Sequence, residues 1–207
     1  MARRPQPLTT RDAILDAAVD LFIRYGFEAS SMDAIAAAAG VAKGSLYYHY
    51  ESKEGIVDAI LDRYRRAIET RLAAIEADSS RGALDKVRDF GTALAEVNSA
   101  TFSRLHRVRT IDIHQKTQAI QIHCFAPYLA RLLAAGAESG AFRVAEPLDA
   151  AEILIAAAST LLDPELGPDA LPRRTAAFAR LTALVLGLDV SSLGPSLGLD
   201  ANGGVTP

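Results

Sequence analysis

The side chains best suited to bind an anionic polymer lie between residues 43 and 53. Residues 43–49 read Lys-Gly-Ser-Leu-Tyr-Tyr-His, and Tyr50 follows. If this stretch is a helix, Leu46 and Tyr50 lie four residues apart and can point inward together. The outward positions then hold a cation, two phenols, a hydroxyl, an imidazole and a glycine. The outward residues are Lys43, Gly44, Ser45, Tyr47, Tyr48 and His49.

This outward set suits the groove and backbone of a nucleic acid. Lysine supplies charge to phosphate, and Tyr, Ser and His donate hydrogen bonds to phosphate oxygens. Gly44 removes a side chain where the helix must approach a duplex, and Lys53 adds a second phosphate-binding cation. The alternative is that the rings are only core. Because residues 47–49 point in different directions on a helix, they cannot all face one core, and at least one must be exposed.

The helices that position these residues can be predicted from the capping residues and glycines at their ends. Ser31 can cap a short helix that ends at Gly40, and a second short helix runs from about Lys43 to Tyr50. Two short helices joined by a glycine turn are typical of a helix-turn-helix. Thr9 or Thr10 can cap a preceding helix, which Gly26 ends in a left-handed conformation. Its predicted apolar stripe is Ile14, Ala18, Leu21, Phe22 and Tyr25.

A long fourth helix, capped by Ser52, has one continuous apolar stripe. That stripe is Ile56, Ile60, Tyr64, Ile68, Leu72 and Ile75. Later helices are predicted from about residue 116 to 139, bent at Pro127, and over residues 148–162 and 171–186. No alternation of period two is long enough for a sheet. We therefore expect an all-α fold of about nine helices.

Composition and patterning suggest four parts. They are a flexible basic arm at residues 1–8, a helix-turn-helix domain at 9–53, a helical domain at 54–190, and a disordered tail rich in Gly, Ser and Pro at 191–207. Apolar residues make up 50% of the chain and aromatics 6%, without Trp, so the core must be mostly Ala, Leu, Ile and Val. Alanine favours helix more than any other residue.

Charge, cysteine content and hydropathy limit the classes of protein to which this chain can belong. The net charge is −3, and residues 1–53 hold six Lys/Arg and six Asp/Glu, so DNA contact must come from a local patch rather than from bulk charge. A single cysteine excludes an internal disulfide framework. No apolar run approaches a membrane span, and the N-terminus does not resemble a secretory signal. These observations favour a cytoplasmic protein that does not bind membranes.

Enzyme and metal chemistry find little support. The sequence has no nucleophile elbow, phosphate loop or closely spaced metal-ligand pair. His106, His114 and His123 are eight and nine residues apart, which on one helix corresponds to turns of about 80° and 180°, so they share no face. We expect no catalytic residue, cofactor or metal. Two weaker alternatives are a redox sensor at Cys124 and a second anion site in the basic run at residues 104–109.

Residues 31–54, SMDAIAAAAGVAKGSLYYHYESKE, closely resemble the DNA-binding region of the TetR family. The matching positions are Ile35, Ala36, Ala39, Gly40, Val41, Lys43, Gly44, Tyr47, Tyr48, His49, Tyr50, Ser52, Lys53 and Glu54, with Ala17, Ala18, Leu21, Phe22 and Gly26 in the first helix. The rest of the chain matches in size, helix count and the weak pattern from Gly136 to Phe142. The DNA-binding region departs from the family pattern at three positions: Ala42, where a capping Ser is common, Tyr50, where Phe is usual, and Gly55.

The resemblance implies roles for individual residues. Lys43, Gly44 and Tyr47 would enter the major groove, and Ser45 would contact either bases or phosphate. Phosphate contacts would come from Ser31, Tyr48, His49 and Lys53. The family further implies a homodimer that represses transcription from a palindromic operator and is released when a small molecule tilts the fourth helix. The alternatives are a ligand-responsive activator and a helical ligand-binding protein without DNA binding.

The same resemblance implies an effector pocket and a dimer interface in the second half of the chain. Mostly apolar residues with a few polar groups are the pocket candidates: Tyr64, Phe90, Leu94, Phe102, Leu105, His106, Ile113, Ile120, His123 and Tyr128. The dimer candidates lie on the last two long helices: Ile153, Leu154, Ala157, Leu161, Phe178, Leu181, Leu184 and Val185. The alternatives are ordinary core residues and a monomer that buries its C-terminal helix pair.

Overall fold

The computed structural model describes residues 9–97, 111–162 and 167–189. Within these ranges the secondary structure is helical without strands, and the number of helices is close to the predicted nine, so the all-α expectation is confirmed. The α-helices are α1 (Thr10–Tyr25), α2 (Met32–Ala38), α3 (Lys43–His49), α4 (Lys53–Ala77), α5 (Ala83–Val97), α6 (Ile111–Ile120), α7 (Ala126–Glu138), α8 (Pro147–Leu161) and α9 (Leu171–Leu186). The expected arm, the tail and the basic run at residues 104–109 lie outside the described residues.

The chain divides into two compact units. The first contains the described residues of Met1–Ile68 and Leu94–Thr117, and the second those of Glu69–Ala93 and Gln118–Pro207. In the first unit α1, α2 and α3 pack in succession, and in the second unit α8 packs against both α7 and α9. Every helix in the described part of the chain is too short or too polar to reach across a lipid bilayer.

Helix α1 begins at a reciprocal cap. The Thr9 hydroxyl accepts the Asp12 N–H at 3.2 Å, and the Asp12 carboxylate accepts the Thr9 hydroxyl at 2.6 Å and the Thr9 N–H at 3.4 Å. The hydrogen bond from the Thr9 hydroxyl lowers the pKa of Asp12. Two α1 predictions need correction. Tyr25 lies in the last turn and is 64% exposed, and Gly26 has φ 86° and ψ 162°, a glycine conformation outside the left-handed helical region.

Helix α4 confirms its predicted cap and stripe. The Ser52 hydroxyl accepts the Gly55 N–H at 3.2 Å. The first five stripe residues are at most 3% exposed, and Ile75 near the C-terminal end is half-buried. In the first unit, Lys116 of α6 donates a hydrogen bond to the Asp58 carboxylate on α4.

The predicted bend at Pro127 takes the form of a wide helical turn. Helix α6 begins at Ile111, earlier than expected, and is followed by a π-helical turn over Gln121–Phe125. The Ala126 N–H bonds to the Gln121 carbonyl, five residues back. Pro127 then lies in the first turn of α7, directly after the π-helical turn, where the shifted hydrogen bonds accommodate a residue without an N–H.

The turn after α7 explains why the Gly136–Phe142 pattern has glycine at its start. Phe142 is 4% exposed, and its ring lies directly against the backbone of Gly136. The Gly136 carbonyl also accepts the N–H groups of Ala141 at 2.8 Å and Phe142 at 3.2 Å. These contacts return the chain toward α8.

Candidate nucleic-acid interface

Helices α2 and α3 form the predicted helix-turn-helix. The Ser31 hydroxyl caps α2 by accepting the Ala34 N–H at 3.1 Å. Gly40 makes the turn with a φ of 67°, a conformation that L side chains rarely adopt. Ala42 has the extended backbone of an N-cap but provides no side-chain hydrogen bond to α3. The expected absence of a cap at Ala42 is therefore confirmed.

The inner side of α3 is anchored as predicted. Leu46 is fully buried, Tyr50 is 6% exposed, and Ile35 of α2 is fully buried as well. The Tyr50 hydroxyl, absent from the more usual Phe, accepts a hydrogen bond from Arg11 Nε of α1 at 3.2 Å. This contact ties the end of α3 to the first helix.

The outer side of α3 carries the predicted polar set. Tyr48 is 85% exposed and Tyr47 is 43% exposed, which contradicts the reading of these rings as core. Lys43 and Gly44 are exposed, and Ser45 and His49 are half-buried. The His49 ring packs edge-on against Tyr48, with ring centroids 5.2 Å apart. Cationic, phenolic and imidazole groups thus face solvent from one short helix.

Lys43 already has an acidic partner within this interface. Its ammonium lies 2.8 and 2.9 Å from the two carboxylate oxygens of Asp33 on α2. Asp33 raises the pKa of Lys43, chiefly through this hydrogen bond, so the lysine stays protonated. The same ammonium lies 5.9 Å from the centroid of the Tyr47 ring. Sequence reasoning missed Asp33 because it lies ten residues from Lys43 and the turn geometry decides whether they meet.

Lys53 differs from the simple expectation of a solvent-facing phosphate ligand. Its Nζ donates to the carbonyl oxygens of Phe27 at 2.7 Å and Glu28 at 3.3 Å, and lies 4.4 Å from the centroid of the Phe27 ring. Lys53 therefore anchors the start of α4 to the turn after α1. An ammonium has three N–H donors, so a phosphate contact from Lys53 stays a prediction.

A second anchor joins α4 to α1. Arg63 of α4 lies 2.8 Å from a carboxylate oxygen of Asp16 and 3.9 Å from one of Asp12. Salt bridges that are partly exposed contribute little to stability individually. Together with the Lys53 contacts, they nevertheless define how α4 leaves the helix-turn-helix.

The predicted effector-pocket residues are divided between the two units. Tyr64, Leu94 and Ile113 belong to the first unit, and Phe90, Ile120, His123 and Tyr128 to the second. Tyr64, Phe90 and Ile113 are buried. His123 is exposed, so its assignment to an enclosed apolar pocket needs correction. Phe102, Leu105 and His106 lie outside the described residues.

The second unit has an open groove of about 270 Å³ with both polar and apolar lining, and none of the predicted pocket residues lines it. Its lining residues are Glu76, Arg81, Ala83, Lys86, Arg131, Leu132, Ala135 and Ser139. Arg131 binds the Glu76 carboxylate in a bidentate manner at 2.5 and 2.9 Å. This hydrogen-bonded pairing lowers the pKa of Glu76. Lys86 donates to the Glu76 backbone carbonyl at 2.8 Å.

Helices α8 and α9 leave large apolar side chains exposed. Ile153 is 56% exposed and Leu184 is 79% exposed. Most other dimer candidates are half-buried: Ala157, Leu161, Phe178, Leu181 and Val185. Leu154 is only 3% exposed, because it points into the core of its own unit, and its assignment to the interface is wrong.

Comparisons with known proteins agree with this geometry. Residues 14–60 match the family model for bacterial regulatory proteins of the tetR family. The A-factor receptor protein of Streptomyces griseus is 39% identical over 69 residues, which is 33% of this chain and 25% of that protein. The HTH-type transcriptional repressor KstR2 of Rhodococcus jostii is 49% identical over 51 residues, 25% of each chain. The matches therefore span well under two thirds of these curated relatives.

Similarity of fold extends over most of the chain. SmeT, the repressor of the Stenotrophomonas maltophilia multidrug efflux pump SmeDEF, has a TM-score of 0.65 at 23% identity, over 85% of this chain and 89% of SmeT. The fatty acid degradation regulator FadR from Bacillus halodurans has a TM-score of 0.67 at 20% identity, over 89% of this chain and 97% of FadR. Residues 14–60 therefore match the DNA-binding region of the tetR family of bacterial regulatory proteins, and the fold of the chain is similar to the folds of SmeT and FadR.

Proposed function

We propose that this protein is a dimeric transcriptional repressor that binds a palindromic operator through the exposed side of α3. The observation that carries the proposal is the division of α3 into two sides. Leu46 and Tyr50 are buried, whereas Tyr47 and Tyr48 face solvent beside Lys43. A recognition helix needs this division, because one side must hold it on the protein and the other must reach the duplex.

The contacts follow from side-chain chemistry. Lys43, Gly44 and Tyr47 enter the major groove, and Ser45 contacts either bases or phosphate. Tyr48, His49, Ser31 and Lys53 donate hydrogen bonds to phosphates. The Ser31 oxygen already accepts a hydrogen bond as the α2 cap, but its hydroxyl proton remains available for donation.

A dimer would be formed by the exposed faces of α8 and α9. Two recognition helices bind half-sites that are about 34–36 Å apart, one turn of the duplex, so operator symmetry mirrors protein symmetry. Ile153 and Leu184 would become buried in this interface, which accounts for their high exposure in the single chain.

The rest of the chain, proposed as a domain of residues 54–190, would bind a small, mostly apolar effector that releases the operator by moving α4. Two structurally similar proteins support such a ligand: SmeT has been solved as a complex with triclosan, and FadR is described as a regulator of fatty acid degradation. Within the first unit, we keep the buried Tyr64 and Ile113 as pocket residues. Release by ligand distinguishes this repressor from an activator that needs its ligand to bind DNA.

The test is a gel-shift titration against the DNA that flanks the protein's own gene. We expect saturable binding that depends on an intact palindrome and that Tyr47→Ala abolishes. Tyr25→Ala is the matched control, because Tyr25 is another exposed tyrosine of the same region and lies outside α3. Tyr47→Ala binding as tightly as the unchanged protein would overturn the assignment of α3. Absence of palindrome-dependent binding would favour a ligand-binding protein without DNA recognition.

A further inference from the structure

The ammonium of Lys43 is held by a carboxylate on the face that the proposed function assigns to DNA. Asp33 binds it through both oxygens, at 2.8 and 2.9 Å, and the two side chains are 62% and 64% exposed. Asp33 lies on α2 and Lys43 is the first residue of α3, so the pair spans the two helices of the motif. Asp33 takes up two of the three N–H donors of this ammonium and neutralises its charge, so a phosphate or base acceptor has to compete with Asp33 for Lys43.

We propose that Asp33 competes with DNA for Lys43 and thereby limits the affinity of the protein for any duplex. The carboxylate binds the ammonium as a phosphate oxygen would, so part of the positive charge of α3 is neutralised before DNA arrives. This inference rests on the proposed function, because it assumes that the α3 face meets DNA.

The physical basis is the replacement of one anion by another. While Asp33 holds the ammonium, Lys43 neutralises a phosphate less completely, so fewer counterions are released from the DNA. Each neutralised phosphate contributes about −0.9 to the slope of log K against log salt concentration. Removing the carboxylate should therefore steepen this slope, by at most about 1. An exposed ion pair is weak, so the gain in affinity should be about two- to fivefold at low salt.

The experiment measures binding of the full chain to a duplex of unrelated sequence, by fluorescence anisotropy over a range of salt concentrations. Asp33→Asn keeps the shape of the side chain and removes the charge, and we expect tighter binding with the steeper slope. Asp33→Glu keeps the charge and should resemble the unchanged protein. Glu51→Gln removes a different exposed carboxylate next to α3 and should give a smaller gain, which separates the ion pair from overall charge.

A double-mutant cycle makes the test specific. On a Lys43→Met background, Asp33→Asn should strengthen binding no more than Glu51→Gln does, because the ammonium for which Asp33 competes is absent. Equal or weaker binding of Asp33→Asn would overturn the inference, as would a gain that is equally large without Lys43. If the unchanged protein binds no duplex, operator or unrelated, the proposed function itself fails. Unfolding curves of each variant check that the fold is kept.

Discussion

The ring of Phe142 packs against Gly136 so closely that a glycine is required there. A Cβ on Gly136 would lie 2.0 Å from Cδ2 and 2.2 Å from Cε2 of Phe142. Real carbon atoms do not approach to this distance without rearrangement. Gly136 lies within α7, where glycine is otherwise unfavourable, so the contact with Phe142 outweighs the helix propensity lost there.

We expect Gly136→Ala to lower the free energy of unfolding by about 1–3 kcal/mol, because Phe142 must leave its buried position. Gly91→Ala is the matched control, since Gly91 is also helical but has nothing within 4 Å of an added Cβ. That change should raise stability by about 0.5–1 kcal/mol. Urea unfolding followed by circular dichroism measures both. Equal effects of the two substitutions would contradict the role of the ring contact.

The recognition helix should gain stability from a capping side chain. Ala42 has φ −64° and ψ 144°, and its side chain makes no capping hydrogen bond. Ala42→Ser should therefore stabilise the protein by about 1 kcal/mol, because the hydroxyl can accept an N–H from the first turn of α3. Ala37→Ser, at an exposed position inside α2, is the control and should be neutral or slightly destabilising. Thermal unfolding distinguishes them, and a cap effect is refuted if both behave alike.

Stability should depend on acid pH through Glu76. Its pKa in the folded protein lies below the ordinary value of 4.5, chiefly because Arg131 binds its charged form. The pairing therefore stabilises the fold above pH 4.5, and this contribution is lost as the pH falls through the lowered pKa. We expect the difference in unfolding free energy between the unchanged protein and Glu76→Gln to be largest near neutral pH and to shrink below pH 4.5. On an Arg131→Gln background this pH dependence should disappear; its persistence would point to another partner.

A charge at Leu184 should prevent dimer formation. The side chain is 79% exposed in the single chain, and a buried, unpaired carboxylate in the proposed interface is strongly unfavourable. Leu184→Asp should therefore sediment as a monomer where the unchanged protein sediments as a dimer. Ala74→Glu adds the same charge at an exposed position of α4 and should leave the dimer intact. A Leu184→Asp protein that remains dimeric would show that these subunits associate through another surface.

Features that depend on short sequence spacing were predictable from the chain alone. The caps at Ser31 and Ser52 and the inward pair Leu46 and Tyr50 follow from residue type and helical period, and the structure confirms them. The exposure of Tyr25 was not predicted, because a stripe extended to the last turn of a helix can leave the packed face.

Contacts between elements were harder to predict. The pairing of Asp33 with Lys43 depends on the angle that the Gly40 turn sets between two helices. The burial of Leu154 depends on which side of α8 meets α7, and an apolar helix with several apolar sides does not reveal this. The π-helical turn before Pro127 likewise accommodates the missing backbone N–H of the proline. From the sequence alone, a simple kink in the helix was an equally valid expectation.

The contacts of Lys53 have a mechanical consequence. Because its ammonium holds the carbonyl oxygens of Phe27 and Glu28, the first turn of α4 and the turn after α1 are fastened together. Further along α4, Arg63 forms a salt bridge with Asp16 of α1 and so holds α4 to the same helix. A displacement of α4 would consequently move α1, α2 and α3 together as one body, instead of bending α3 away from its neighbours.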